Sequence, residues 1–244
     1  MKIFAFGCSF SSFHSGMCGF GNSWVHRLAK DNPEHHIYDA SLGGAGNDHI
    51  LHRLMLLEKN YGVADKIIVQ LTNPNRNTTL LDKKWWKEGL NFSTKDNLTY
   101  HDDIRLHQYF VQGSFFVETV RQKKRRIKFA KHMDLAEDLL IKYFGTYLTH
   151  YDNTVKTQMA IDLINRLYGK KNVLFFAWHD LSNFKSWKYV DIPTNYIGSV
   201  QSRFNKDNKF YRLGTDTSPH YGAEGHKAVY KWLKEKIGHL ILDK

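Results

Sequence analysis

Short apolar runs at Lys2–Phe6, Ile37–Ala40, Lys66–Leu71 and Val173–Trp178 alternate along this chain with stretches whose apolar residues recur at helical spacing. The helical stretches are Ser23–Lys30, His49–Asn60, Tyr151–Tyr168 and Ala223–Ile237. In the third, Val155, Met159, Ile161, Leu163, Ile164 and Leu167 supply a mostly apolar face before Gly169 stops it; in the last, Ala228, Val229, Trp232, Leu233 and Ile237 do the same. Strand and helix in alternation favour a parallel α/β sheet. Such a sheet gathers its chemistry in the loops that follow the carboxyl ends of the strands.

Those loops carry the informative residues. After the first run comes Gly7-Cys8-Ser9-Phe10-Ser11, which leaves a buried strand through a glycine turn and presents Ser9 where a helix can begin, close to free backbone donors. After the second comes Ser41-Leu42-Gly43-Gly44-Ala45-Gly46, and the third ends in Leu71-Thr72-Asn73. Near the far end of the chain stands Asp216-Thr217-Ser218-Pro219-His220. His220 can accept a proton from Ser9, and Asp216 can orient and stabilise the imidazolium, which is the division of labour of acyl transfer.

In this order the stretches resemble the sequence blocks of the SGNH, or GDSL-type, hydrolases and esterases. The resemblance implies Ser9, His220 and Asp216 as catalytic residues. It implies an oxyanion hole made of the Ser9 N–H, the Gly46 N–H and the Asn73 side chain, with Gly44 replacing Gly46 in another loop register. It further implies an α/β fold with a three-layer, flavodoxin-like parallel sheet flanked by helices, and a serine esterase or acylhydrolase that works through an acyl-enzyme without a cofactor. The chain departs from the family pattern at Cys8, where an acid is usual, at Leu71 and Pro74, and in the spacing of Asp216 to His220.

Each residue also has a plainer reading. Gly43–Gly46 can be a simple turn, since glycine tolerates positive φ, and His220 a surface-loop residue after Pro219. His226 is read as an ordinary member of the last helix. Cys8 is an alternative nucleophile at a helix start, although its side chain is expected to point away from the pocket. His179, beside Asp180 at the end of the fourth run, is an alternative base.

With 244 residues and 42% hydrophobic composition the chain can bury a sizeable core, so residues 1–244 are expected to form one hydrolase domain. The alternation fails between about 75 and 150, where Trp85-Trp86, Tyr109-Phe110, Phe115-Phe116 and Tyr143-Phe144 sit among polar and basic residues. This aromatic, basic insertion is expected to form a lid or substrate wall, or an oligomer interface. The net charge of +11 and the run Arg121–Lys128 open the way to a polyanion contact.

Met1–Phe6 is too short for a signal peptide core and no run approaches a membrane span, so cytoplasmic synthesis is expected. Cys8 and Cys18 suggest reduced thiols rather than a disulfide framework. The 14 histidines form no metal-ligand pattern, and no metal is expected. The insertion's aromatics make carbohydrate O-deacetylation the first expectation for substrate, with a lipid or short-chain ester as the other. The rival from a different class is a non-catalytic protein of SGNH type with a structural or polyanion-binding role.

Overall fold

The computed structural model describes residues 1–8, 10–11, 21–41, 45–72, 90–93, 98–102, 150–181, 185–204 and 222–242. The strands are β1 (Lys2–Phe6), β2 (His36–Asp39), β3 (Lys66–Leu71), β4 (Leu90–Ser93), β5 (Leu98–Asp102), β6 (Val173–Ala177) and β7 (Tyr196–Ser199). The helices are α1 (Trp24–Asp31), α2 (Asp48–Tyr61), α3 (His150–Tyr168), α4 (Val200–Phe204) and α5 (Ala223–Leu242).

The sheet runs β4-β5-β2-β1-β3-β6-β7. Every pairing is parallel except the outermost, where β4 runs antiparallel to β5. With β4 and β5 set aside, the order is that of the flavodoxin-like doubly wound sheet. The chain steps from β1 outward to β2, then back across β1 to β3. Crossovers are right-handed, so steps in opposite directions put α1 and α2 on opposite faces, and the sheet acquires a switch point beside the end of β1.

Both faces are covered, which is why β1, β3 and β6 read as almost unbroken apolar runs. Period-two alternation deals their side chains to two cores. Ile3, Ala5, Ile68 and Phe176 pack with Trp24, Val25 and Leu28 of α1 and with Val229, Trp232 and Leu233 of α5. Phe4, Phe6, Ile67, Val69 and Phe175 pack with Ile50, Leu54 and Leu57 of α2 and with Ile161 and Ile164 of α3. The result is the expected three-layer arrangement.

The ends of the helices follow local chemistry. Ser23 caps α1, its hydroxyl accepting the His26 N–H at 3.2 Å. Gly169, at φ 74°, ends α3 where the sequence places the stop, donating its N–H to Asn165 O at 2.9 Å. The last helix instead runs on through Gly238 to Leu242, past the Ile237 end expected from its pattern.

Part of the expected insertion proves to be sheet. β4 and β5 extend it beyond β2, with Ile37 paired to Leu98 and Asp39 to Tyr100. The Trp85-Trp86, Tyr109-Phe110, Phe115-Phe116 and Tyr143-Phe144 pairs, the basic run Arg121–Lys128 and Cys18 lie outside the described residues. Among those described, no helix is long and apolar enough to cross a membrane.

At the seam between β2 and this extension, His36 Nε2 and Thr99 Oγ1 lie 2.9 Å apart. Burial, reinforced by the nearby Lys2 charge, holds the imidazole below its ordinary pKa of 6.5. The unfolded chain therefore takes up this proton more readily than the folded one. The stabilising contribution is fully present above about pH 6.5 and is lost as pH falls through the lower, folded value. Urea midpoints are expected to drop on acidification from pH 7.5 to 5.5, and His36→Gln to lessen the drop; an equal drop in both would exclude His36 as a source.

Candidate active site

The carboxyl ends of β1, β2 and β3 come together at the switch point, where an open α/β sheet places its ligand crevice. Gly46 is the one member of the expected catalytic and oxyanion set that falls among the described residues, where it is buried. Ser9, Asn73, Asp216 and His220 lie outside them, as do Gly43 and Gly44. Cys8 and Phe10, on either side of Ser9, and Thr72, just before Asn73, are described.

On either side of residue 9 the chain is held from below. Ser11 N–H donates to Cys8 O at 2.9 Å, closing a turn. Gln70, next to last in β3, turns its side chain beneath this turn. Its Oε1 accepts the Cys8 N–H at 3.1 Å and the Ser11 hydroxyl at 3.0 Å, and the Cys8 thiol lies 3.4 Å away. Ser11 Oγ in turn accepts the Trp24 Nε1–H at 2.8 Å. Ser11, Gln70 and Trp24 are essentially inaccessible to water. In so dry a setting each bond is strong and each missing partner costly.

The second loop is joined to the third by Asn47. Its Oδ1 accepts the Thr72 N–H at 2.8 Å, and its Nδ2 donates to Thr72 O at 3.0 Å and to Thr157 Oγ1 at 3.2 Å. One carboxamide thus imitates a strand neighbour, satisfying both backbone groups of the residue before Asn73 while following Gly46 directly in the chain. Ser41 N–H is fixed to Asp39 Oδ1 at 2.9 Å.

The start of α5 arrives at the same corner. His226, four-fifths of a turn inside the helix from Ala223, is buried, and its Nδ1 accepts the Trp24 N–H at 3.3 Å. That bond ties the start of the last helix to the start of α1. Arg27 adds a bond from Nη2 to Ala223 O at 3.4 Å. Phe10 stacks on Trp178 with ring centroids 4.7 Å apart, and Trp178 lies 6.0 Å from the His226 ring. The chain following Ser9, the end of β6 and the chain shortly after His220 converge here.

Two alternatives can be placed. The Cys8 thiol is buried in the apolar core and directed at Gln70, turned away from solvent as expected, so it is poorly placed for attack on a substrate. His179 stands edge-on to Phe10 with centroids 5.2 Å apart, beside the turn, and Asp180 donates its N–H to Gln201 Oε1 at 3.0 Å. Sequence reasoning missed Gln70, Ser11 and the clamping role of Asn47. A polar residue inside the run Ile67-Ile68-Val69-Gln70-Leu71 was the available signal, since a buried amide needs partners.

No family model matches the chain, and no curated protein matches it in sequence. Solved structures do. The psychrotrophic esterase EstA from Pseudoalteromonas sp., in a structure inhibited by monoethylphosphonate, is similar at a TM-score of 0.52 and 9% identity, covering 99% of each chain. TesA is similar at a TM-score of 0.50 and 8% identity, covering 99% of this chain and 100% of its own. The chain therefore shares the α/β fold of these two proteins, a mostly parallel sheet with helices packed on both faces.

Proposed function

We propose that the protein is a serine ester hydrolase in which Ser9 is the nucleophile, His220 the general base and Asp216 the residue that orients His220. The Ser9 N–H, the Gly46 N–H and the Asn73 side chain form the oxyanion hole. The observation that carries this reading is the Asn47 clamp. By bonding both backbone groups of Thr72, it joins the loop bearing Gly46 to the residue that precedes Asn73. The Gln70 bonds to Cys8 and Ser11 join the turn bearing Ser9 to the same strand end. Three loops that the chemistry needs together are thereby tied together, and the fold shared with the esterase EstA and with TesA supports the same reaction class.

In the reaction, His220 removes the Ser9 proton as Oγ attacks the ester carbonyl. The tetrahedral oxyanion is held by the three donors, each worth about 3–4 kcal/mol at the transition state. The imidazolium passes its proton to the departing alkoxide, leaving an acyl-serine. Water, deprotonated by His220, repeats the sequence and releases the acid. An O-acetylated carbohydrate is the first substrate class, because the aromatic residues of the 75–150 segment suit stacking on sugar rings; lipid and short-chain esters are the next to assay.

A fluorophosphonate probe tests the reading directly. An adduct confined to Ser9 by peptide mass spectrometry, and absent in Ser9→Ala, is the expected result. Folded protein that stays unlabelled, and binds polyanions in a salt-sensitive way through Arg121–Lys128 without turnover, would instead favour a non-catalytic role.

A further inference from the structure

The carboxamide of Gln70 lies where the ends of β1 and β3 meet beneath the turn that contains residue 9. It fits its surroundings with both ends: Oε1 accepts the Cys8 N–H at 3.1 Å and the Ser11 hydroxyl at 3.0 Å, while Nε2 donates to Leu71 O at 2.8 Å. The Cys8 C=O on the other side of the residue is held by Ser11 N–H at 2.9 Å. Both peptide units of Cys8 are therefore fixed, one by Gln70 and one by the turn that Gln70 supports through Ser11.

We propose that Gln70 is a positioning residue for the nucleophile turn: it fixes Cys8 and Ser11, the described residues that flank the nucleophile, and the rate at which Ser9 reacts depends on that support. This role rests on the acyl-transfer reading above. Gln70 is buried under the turn, so it acts through the backbone. An apolar residue in its place leaves the Cys8 N–H without its acceptor and frees the Ser11 hydroxyl to rotate, and a nucleophile displaced by an ångström loses rate steeply.

The test compares the full-length chain with Gln70→Leu, Gln70→Glu and Ser11→Ala. The readout is the rate of fluorophosphonate labelling at Ser9, measured well below each variant's unfolding temperature. Gln70→Leu is expected to label about 10²-fold more slowly. Gln70→Glu is expected to recover most of that loss, because a buried carboxyl is held in its neutral form, which offers an acceptor to Cys8 and a donor to Leu71. A purely structural role would lower the unfolding temperature and leave the labelling rate of the folded protein unchanged, so a folded Gln70→Leu that labels at the original rate overturns the proposal. Should Gln70→Leu not fold, Ser11→Ala decides: slowed labelling supports the role and an unchanged rate overturns it. Absence of labelling at Ser9 in the unmodified chain removes the acyl-transfer reading itself, and with it any such role for Gln70.

Discussion

Ser9→Ala and His220→Ala should each lower kcat on a short activated ester by about 10⁴- to 10⁶-fold, and the double variant should be little worse than either alone. The reason is that nucleophile and base act as one unit: removing the hydroxyl leaves His220 nothing to deprotonate, and removing the imidazole leaves Ser9 a weak alcohol. What rate remains comes from the oxyanion donors and from substrate binding. KM should change much less than kcat. Asp216→Asn is the sharper assay of the assignment, since an acid that orients the base costs about 10⁴-fold when neutralised. A loss below tenfold at Asp216 would mean that another carboxylate orients His220. If His179→Ala abolished turnover and His220→Ala did not, the base would be His179, which stands against Phe10 beside the turn.

The sheet was legible where burial on both faces makes a strand apolar throughout. β1, β3 and β6 are such strands, and each was found to within a residue. β2 begins at His36, one residue before its apolar run, because that residue's N–H is bonded to Met1 O at 2.8 Å, a partner far away in sequence. β7 was missed: at four residues, mostly half-buried on the sheet edge, it has neither the length nor the apolar content to announce itself. β4 and β5 were missed for another reason. β5 takes its place from β2, some sixty positions upstream, which no local pattern encodes, and β4 joins the sheet only through β5.

The sequence offers the site as a set of chemical candidates and says nothing of the support beneath them. Ser9, Gly46 and Asn73 are candidates by residue type and by their place after strand ends. Gln70, Ser11 and Asn47 do their work by touching backbone groups that only the folded chain brings near. Asn47 directly follows the glycine loop, yet nothing local says that its amide closes on Thr72. Buried polar residues of this kind are recognised by the donors and acceptors they satisfy, which requires coordinates.

Gly7→Ala is the substitution expected to cost the most stability for the fewest atoms. A Cβ at Gly7 would stand 2.6 Å from Ser11 Oγ, 2.7 Å from Ser11 Cβ and 2.9 Å from Gln70 Oε1. None of these is the loose end of a surface side chain. Ser11 is held by Gln70 and by the Trp24 indole N–H, and Gln70 by Leu71 O as well, so relieving the overlap means breaking bonds in a region without water to replace them. Overpacking costs about 1–3 kcal/mol and a buried polar group left unpaired about as much again. The stiffer unfolded chain returns at most about 1 kcal/mol. A net loss of about 2–4 kcal/mol is expected in urea unfolding, together with slowed labelling at Ser9, because the displaced atoms are the ones that hold the turn. Gly238→Ala supplies the contrast: there a Cβ meets no atom within 4 Å, and alanine favours the helix that Gly238 interrupts, so that variant should be as stable as the parent or more so. Should Gly7→Ala prove as stable as Gly238→Ala, the close contact among Gly7, Ser11 and Gln70 would be wrong, and the support assigned to the nucleophile turn would fall with it.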